Sequence, residues 1–269
     1  MYTAFWKLRE QPFRNEFRPS FYFPSGSHQA ALLKLRYAVE QRQASALLVG
    51  PAGTGKSFIV ELLAASLPES YQPIVRKTAL LDDAEAFLID LAEELGSPPR
   101  GSGYAAFRYL EETLSKNRSA NRHGILVIDN VHVFQHHKNW DVLRNLMTIA
   151  LDGQPAWTVI LLGHPLVLPI LEQLPHVEEL LAIKSFLRPL TLEETRDYVE
   201  HCLRQAGATG AIFTPEALEQ VADLSGGIPR RINRLCDLAL LVAYAEKSTR
   251  VHAHHVEAVF DELCGIPAQ

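Results

Sequence analysis

Eight consecutive residues, Gly50-Pro51-Ala52-Gly53-Thr54-Gly55-Lys56-Ser57, constrain the fold of this chain more than any other stretch. They follow a short unbroken apolar run, Ala46-Leu47-Leu48-Val49, and precede a helical pattern over Lys56–Ser66. The spacing G-x-x-x-x-G-K-[ST] between a strand and a helix is that of a phosphate-cradling loop. Its glycines let the backbone curl so that successive amides face an anion. The positive end of the following helix points at the same place. Lys56 brings a point charge to the terminal phosphates, and the Ser57 hydroxyl is a ligand for Mg²⁺. The expected nucleotide contacts are Gly50, Pro51, Ala52, Gly53, Thr54, Gly55, Lys56 and Ser57, with Phe58 directly behind them.

A second apolar strand, Ile125-Leu126-Val127-Ile128, ends in Asp129. Beside a phosphate loop, a carboxylate at such a strand exit helps to hold Mg²⁺. The next residue is Asn130, where many nucleotide hydrolases carry a glutamate that polarises the attacking water. A carboxamide binds water but cannot take its proton at neutral pH. Slow hydrolysis is expected, or a base from elsewhere. His132 is a candidate base; the competing reading makes it a helix-entry or surface histidine.

Further unbroken apolar strands are expected over 74–78, 157–162 and 183–187, with helices over 28–41, 56–66, from Asp82 or Asp83, 104–116, 140–151 and 167–173. Strands of this kind, separated by helices, imply a parallel sheet covered on both faces. After Pro189 the pattern becomes helical. Thr191-Leu192-Glu193-Glu194 is a capping box. Thr214-Pro215 opens a second helix, Gly226-Gly227-Ile228-Pro229 a third, and 254–263 a fourth. The expected organisation is an N-terminal arm (1–27), an α/β core (28–189) and a helical lid (190–269). Trp6, Phe5 and Phe13 of the arm are expected to cover the sheet edge.

Composition narrows the function. Apolar residues make up 47% of the 269 and charged residues 21%, ordinary for a globular protein. The net charge of −5 argues against a general polyanion binder. Cys202, Cys236 and Cys264 are widely spaced and form no CxxC pair, so reduced thiols and a cytoplasmic setting are expected. No apolar run reaches the length of a membrane span. His136-His137 and the group His252, His254, His255 read as surface histidines rather than metal ligands.

These motifs together resemble the AAA+ ATPases of the general secretion pathway protein A (ExeA) type, related to the TniB transposition ATPases. The resemblance runs over about residues 2–262. It is carried by Tyr2-Thr3-Ala4-Phe5-Trp6-Lys7-Leu8, Pro12-Phe13, Phe21-Tyr22-Phe23-Pro24-Ser25 with His28, the glycine loop, Asp129, Gly163-His164-Pro165, Leu187-Arg188-Pro189-Leu190 and Gly226-Gly227-Ile228-Pro229-Arg230-Arg231-Ile232-Asn233. It implies a P-loop α/β fold with a helical lid and ATP·Mg²⁺ between core and lid. The arm and Tyr22 or Phe23 would border the adenine. His164 would stand at the sensor 1 position, in place of the family's glutamine, and Arg230 would be sensor 2.

Such a protein would be an assembly motor or switch in secretion or envelope machinery, probed by a protein partner there and working as a homo-oligomer, a ring being one form. Alternatives are a nucleotide-dependent scaffold with negligible hydrolysis, which Asn130 favours, and a DNA-associated regulator of TniB type, which the net acidity disfavours. The family's usual arginine in 176–184 is missing, leaving Lys184 as a weak stand-in. Full members add a membrane span and a peptidoglycan-binding region that this sequence lacks, which suggests a truncated form or a soluble paralogue.

Overall fold

The computed structural model describes residues 2–72, 74–78, 83–96, 102–134 and 136–264. Asp82 lies outside them, as do residues 97–101 of the stretch 97–103, whose Pro and Gly content predicts a loop.

The described chain opens with one helical turn, α1 (Tyr2–Phe5), and a 3-10 turn at Pro19–Phe21, followed by α2 (Gly26–Glu40). Then come β1 (Ser45–Val49), α3 (Lys56–Ser66), β2 (Ile74–Thr78), α4 (Ala84–Glu94), α5 (Gly103–Ser119) and β3 (Gly124–Asp129). Asp83 caps α4, its side chain accepting from the amides of Glu85 and Ala86. Next are α6 (His137–Met147), a small hairpin of β4 (Ala150–Leu151) and β5 (Gln154–Pro155), β6 (Trp157–Gly163), α7 (Val167–Glu172), α8 (Pro175–Glu178) and β7 (Ile183–Phe186). The chain closes with α9 (Leu192–Gln205), α10 (Pro215–Ser225), α11 (Pro229–Ala245) and α12 (Ala253–Cys264). The helix expected to reach Leu151 stops at Met147 because Asp152-Gly153, both at positive φ, turn the chain into the hairpin.

Two compact units emerge. One is Ser27–Ala52 with Lys56–Leu187. It holds a five-stranded sheet of order β2-β3-β6-β1-β7, and every strand pair is parallel. All of β1 and β6, and β3 up to its last residue, are buried, which is why they read as continuous apolar runs. Alternate positions Leu47, Val49, Leu126, Ile128, Val159 and Leu161 form one core with Leu110, Leu114, Trp140 and Leu143 from the helices. Register aligns the strand exits: Val49 stands opposite Gly163, and Ile128 opposite Leu161. With β6 lying between β1 and β3, three loops therefore leave one edge side by side.

The other unit joins the N-terminal arm, through Gly26, with the helices from Arg188 onward and with the glycine-loop tip Gly53–Gly55. The arm's aromatic residues pack on the helices of this unit, Phe5 standing edge-on to Trp6 and Tyr244. Tyr2, Trp6 and Phe13 are buried in one cluster with Val199, Phe213, Ile232, Cys236 and Leu240. The Trp6 indole N–H donates to Leu240 O at 3.1 Å, and Phe13 packs edge-on against Phe213. Buried aromatic rings carry large apolar areas and seek a partner for their polar atom, and the helical unit supplies both. Gly227 is needed where this unit closes. It sits at φ +69°, and a Cβ there would come within 2.0 Å of Leu190 O. Glu194 completes the α9 capping box with Thr191.

Candidate nucleotide site

In the α/β unit, β1 delivers Gly50, whose amide donates to Gly163 O at 3.1 Å. Pro51 is half-buried and Ala52 exposed. The first turn of α3 then presents Lys56 and Ser57, with Phe58 half-buried beside them. Lys56 Nζ donates to Gly50 O at 2.7 Å and to Pro51 O at 3.1 Å, so its ammonium lies along the loop it is expected to serve. Ser57 Oγ donates to Asp129 Oδ2 at 3.0 Å. One hydroxyl and one carboxylate at this separation are hard oxygen donors of the kind Mg²⁺ takes when it is held by few protein groups plus phosphates and water. The residues therefore fit that ion, which would neutralise phosphate charge between them.

Asn130 takes a left-handed conformation, φ 59°, and its amide donates to Asp129 Oδ1 at 2.7 Å. Asparagine is one of the few residues that enters this region readily. The side chain after Asp129 is thus matched to a sharp backbone turn.

The turn leads to His132, which is half-buried. Its Nδ1 accepts the His164 backbone amide at 3.2 Å, and the two imidazoles stand 5.7 Å apart. Burial, the neighbouring His164 ring and the Lys56 charge lower the His132 pKa, opposed by Asp129. A neutral ring with Nδ1 accepting keeps its proton on Nε2. With that bond kept it has no lone pair left for water's proton, and its place in the 3-10 turn Val131–Val133 is that of a helix-entry histidine. His164 Nδ1 in turn accepts the Leu166 amide at 3.4 Å. That leaves its Nε2–H as a donor.

The helical unit contributes its own set. Gly53 is at φ +83°, and its missing Cβ leaves room for Arg230, whose Cβ would otherwise be 2.9 Å away. The Arg230 amide donates to Gly53 O at 3.2 Å. Arg230, in the first turn of α11, is exposed, as are Arg231 and Arg234. Thr54 is buried and Gly55 half-buried. Phe23 lies 5.8 Å from both Tyr198 and His201. Tyr22 is half-buried, and burial raises its phenol pKa. Lys184 pairs closely with Glu178 of its own chain.

Of the three histidines expected at the surface, His252 and His254 are exposed, whereas His255 is 1% exposed. Its Nδ1 accepts the His252 amide at 2.8 Å and its Nε2 faces Glu246 at 3.1 Å. That is one half of a capping box, the third-position side chain accepting the amide of the residue before the helix. With Nδ1 so engaged, the ring's proton stands on Nε2, toward Glu246.

Residues 39–171 match the family described as "AAA domain". The chain carries an AAA domain. With its parallel sheet and helical C-terminal region, this AAA+ chain has the P-loop NTPase fold of that class. Over 99% of its length it is 30% identical to the general secretion pathway protein A of Aeromonas hydrophila, of which it covers 49%. It is 29% identical to origin recognition complex subunit 4 of Xenopus laevis over 57% of this chain and 38% of that one. The AAA+ chain thus spans about half the length of the first relative and less of the second. Among solved structures, the Aeropyrum pernix ORC1 protein in complex with DNA superposes with a TM-score of 0.71 at 22% identity, covering 96% of this chain and 69% of that one. The ORC2 protein of the same organism, in ADPNP-ADP complexes, gives 0.70 at 16% identity over 97% and 73%. No helix among the described residues is long and apolar enough to cross a membrane.

Proposed function

We propose that this AAA+ chain binds ATP with Mg²⁺ through Gly50–Ser57 and uses it as a switch in the assembly of secretion or envelope machinery. The observation that carries the reading is the Ser57–Asp129 pair at 3.0 Å, set at the foot of the glycine loop. Lys56 neutralises the terminal phosphates, and the ion held by Ser57 and Asp129 supplies charge neutralisation there. His164 and Arg230 report the γ-phosphate. Tyr22 and Phe23 border the adenine. The change of state is read out by a protein partner or by further copies of the chain. The kinship with general secretion pathway protein A supports the secretory setting.

Turnover in this reading is slow, and the chain works mainly through its bound state. Asn130 cannot accept a proton, and the His132 lone pair on Nδ1 is already engaged. The test is calorimetry of the full chain with Mg·ATPγS and Mg·ADP, repeated with Lys56→Ala, together with native mass measurements. Binding that is lost in Lys56→Ala, and a mass that rises with ATPγS, are the expected results. No binding to the wild-type chain would end the reading.

A further inference from the structure

Two loops leave the carboxyl edge of the sheet next to each other, one carrying Asp129 and the other His164. They are joined in two ways. Val131, fully buried, packs near Gly163, where a Cβ would meet Val131 Cγ2 at 3.5 Å and Val167 Cγ1 at 3.1 Å. One residue further along each loop, the His132 ring accepts the His164 amide.

We propose that His132 is a positioning residue for γ-phosphate recognition: its Nδ1 holds the His164 amide and so fixes the turn on which His164 sits against the strand that carries Asp129. This rests on the reading of the glycine loop as an ATP·Mg²⁺ site. The argument is geometric. The donor in the bond is a backbone N–H, so the imidazole can only accept, and a ring that accepts at Nδ1 is neutral with its proton at Nε2. His164 has no comparable side-chain tie of its own: its Nδ1 is engaged by the Leu166 amide within the same turn. The His132 bond is therefore the side-chain hydrogen bond that references the His164 turn to the end of β3, beside the packing of Val131. A ligand with a γ-phosphate would feel its loss, whereas one that ends at the β-phosphate would not.

The test uses two substitutions of similar size and polarity. His132→Asn places an acceptor oxygen where Nδ1 stands. His132→Gln places its amide one bond further out, where Nε2 stands. Calorimetry of the full chain gives the ratio of the ADP to the ATPγS dissociation constants in the presence of Mg²⁺. We expect His132→Gln to lower that ratio about fivefold, the worth of one hydrogen bond, with ADP affinity held within twofold of wild type. His132→Asn should retain the ratio. Equal weakening of both nucleotides, an unchanged ratio in His132→Gln, or an equal loss in both variants overturns the inference while leaving the ATP site standing. Absence of nucleotide binding in the wild type overturns both.

Discussion

The Ser57 hydroxyl donates to Asp129 across 3.0 Å, although 72 residues separate them in sequence. Parallel topology brings them together: β1 leads into the loop and α3, and β3 ends at Asp129. Because each group is the natural partner of the other, an ion arriving between them replaces a hydrogen bond with two ligand bonds. Ser57→Ala should therefore leave the fold intact and remove most of the Mg²⁺ dependence of ATPγS binding, a loss of roughly tenfold at saturating ion. Asp129→Asn keeps an acceptor for Ser57 but lacks the charge, and should show the same loss. Titrations with and without EDTA check this. An unchanged Mg²⁺ dependence in both variants would remove these residues from the ion site.

Gly53 and Arg230 are the counterpart in the helical unit. Gly53→Ala adds a Cβ at φ +83° and 2.9 Å from Arg230 Cβ. The left-handed backbone alone costs an alanine about 1–2 kcal/mol. Neither cause is relieved by Arg230→Ala, which keeps its own Cβ. Gly53→Ala should therefore lower the midpoint of thermal unfolding whether or not Arg230 is present. Arg230→Ala by itself, at an exposed position, should leave the midpoint nearly unchanged and weaken ATPγS more than ADP. A midpoint for Gly53→Ala equal to wild type would mean that the loop tip moves freely.

Much of this fold was legible because its strands are buried on both faces and are consequently unbroken runs, and because Thr191, Thr214 and Asp83 are cap residues in front of their helices. The glycine loop between β1 and α3, and Asp129 at the end of β3, stand where the flanking apolar runs put them. What escaped the sequence depends on long-range geometry. Trp6 and Phe13 are apolar wherever they go, and only the tertiary fold shows that they go to α11 and Phe213. His132 carries no local mark of its bond to His164, since the partner is a backbone amide 32 residues away. The capping histidine His255 could have been read from its place three residues after His252, a box position usually filled by Glu or Gln.

Asn130 must be tested with its backbone in mind. Asn130→Glu restores the carboxylate that many related hydrolases carry, and would raise turnover if the missing base limits the rate. It also puts a glutamate at φ 59°, at a cost of about 1 kcal/mol. Asn130→Gly satisfies the turn without adding a base. We expect Asn130→Gly to match wild-type stability and turnover, and Asn130→Glu to be less stable in urea while hydrolysing ATP at least tenfold faster. Equal turnover in all three proteins would show that proton transfer is not what slows the chain.

His123 gives the α/β unit an acid sensitivity that can be separated from the nucleotide site. It is 2% exposed. Its Nε2 lies 2.9 Å from Thr158 Oγ1, whose own proton goes to Gln43 O at 2.8 Å. Thr158 must therefore accept, and His123 is the neutral donor. Burial, reinforced by the charges of Arg42 and Arg118, lowers its pKa to about 4. In the unfolded chain the ordinary value of about 6.5 returns. Between these two values the unfolded state binds a proton that the folded state refuses, so stability is full above about pH 6.5 and falls as the pH drops toward 4. Below that, both states are protonated and this contribution stops changing. The whole interval is worth at most about 3 kcal/mol, and about 2 kcal/mol of it is spent by pH 5. His123→Gln offers Thr158 the same donor without a titrating ring. Urea unfolding at pH 7.5 and pH 5 should show wild type losing about 2 kcal/mol more than the variant over that range. Carboxylates and the other histidines titrate alike in both proteins, so the difference isolates this residue, and parallel pH dependences would mean that His123 is already charged in the folded protein.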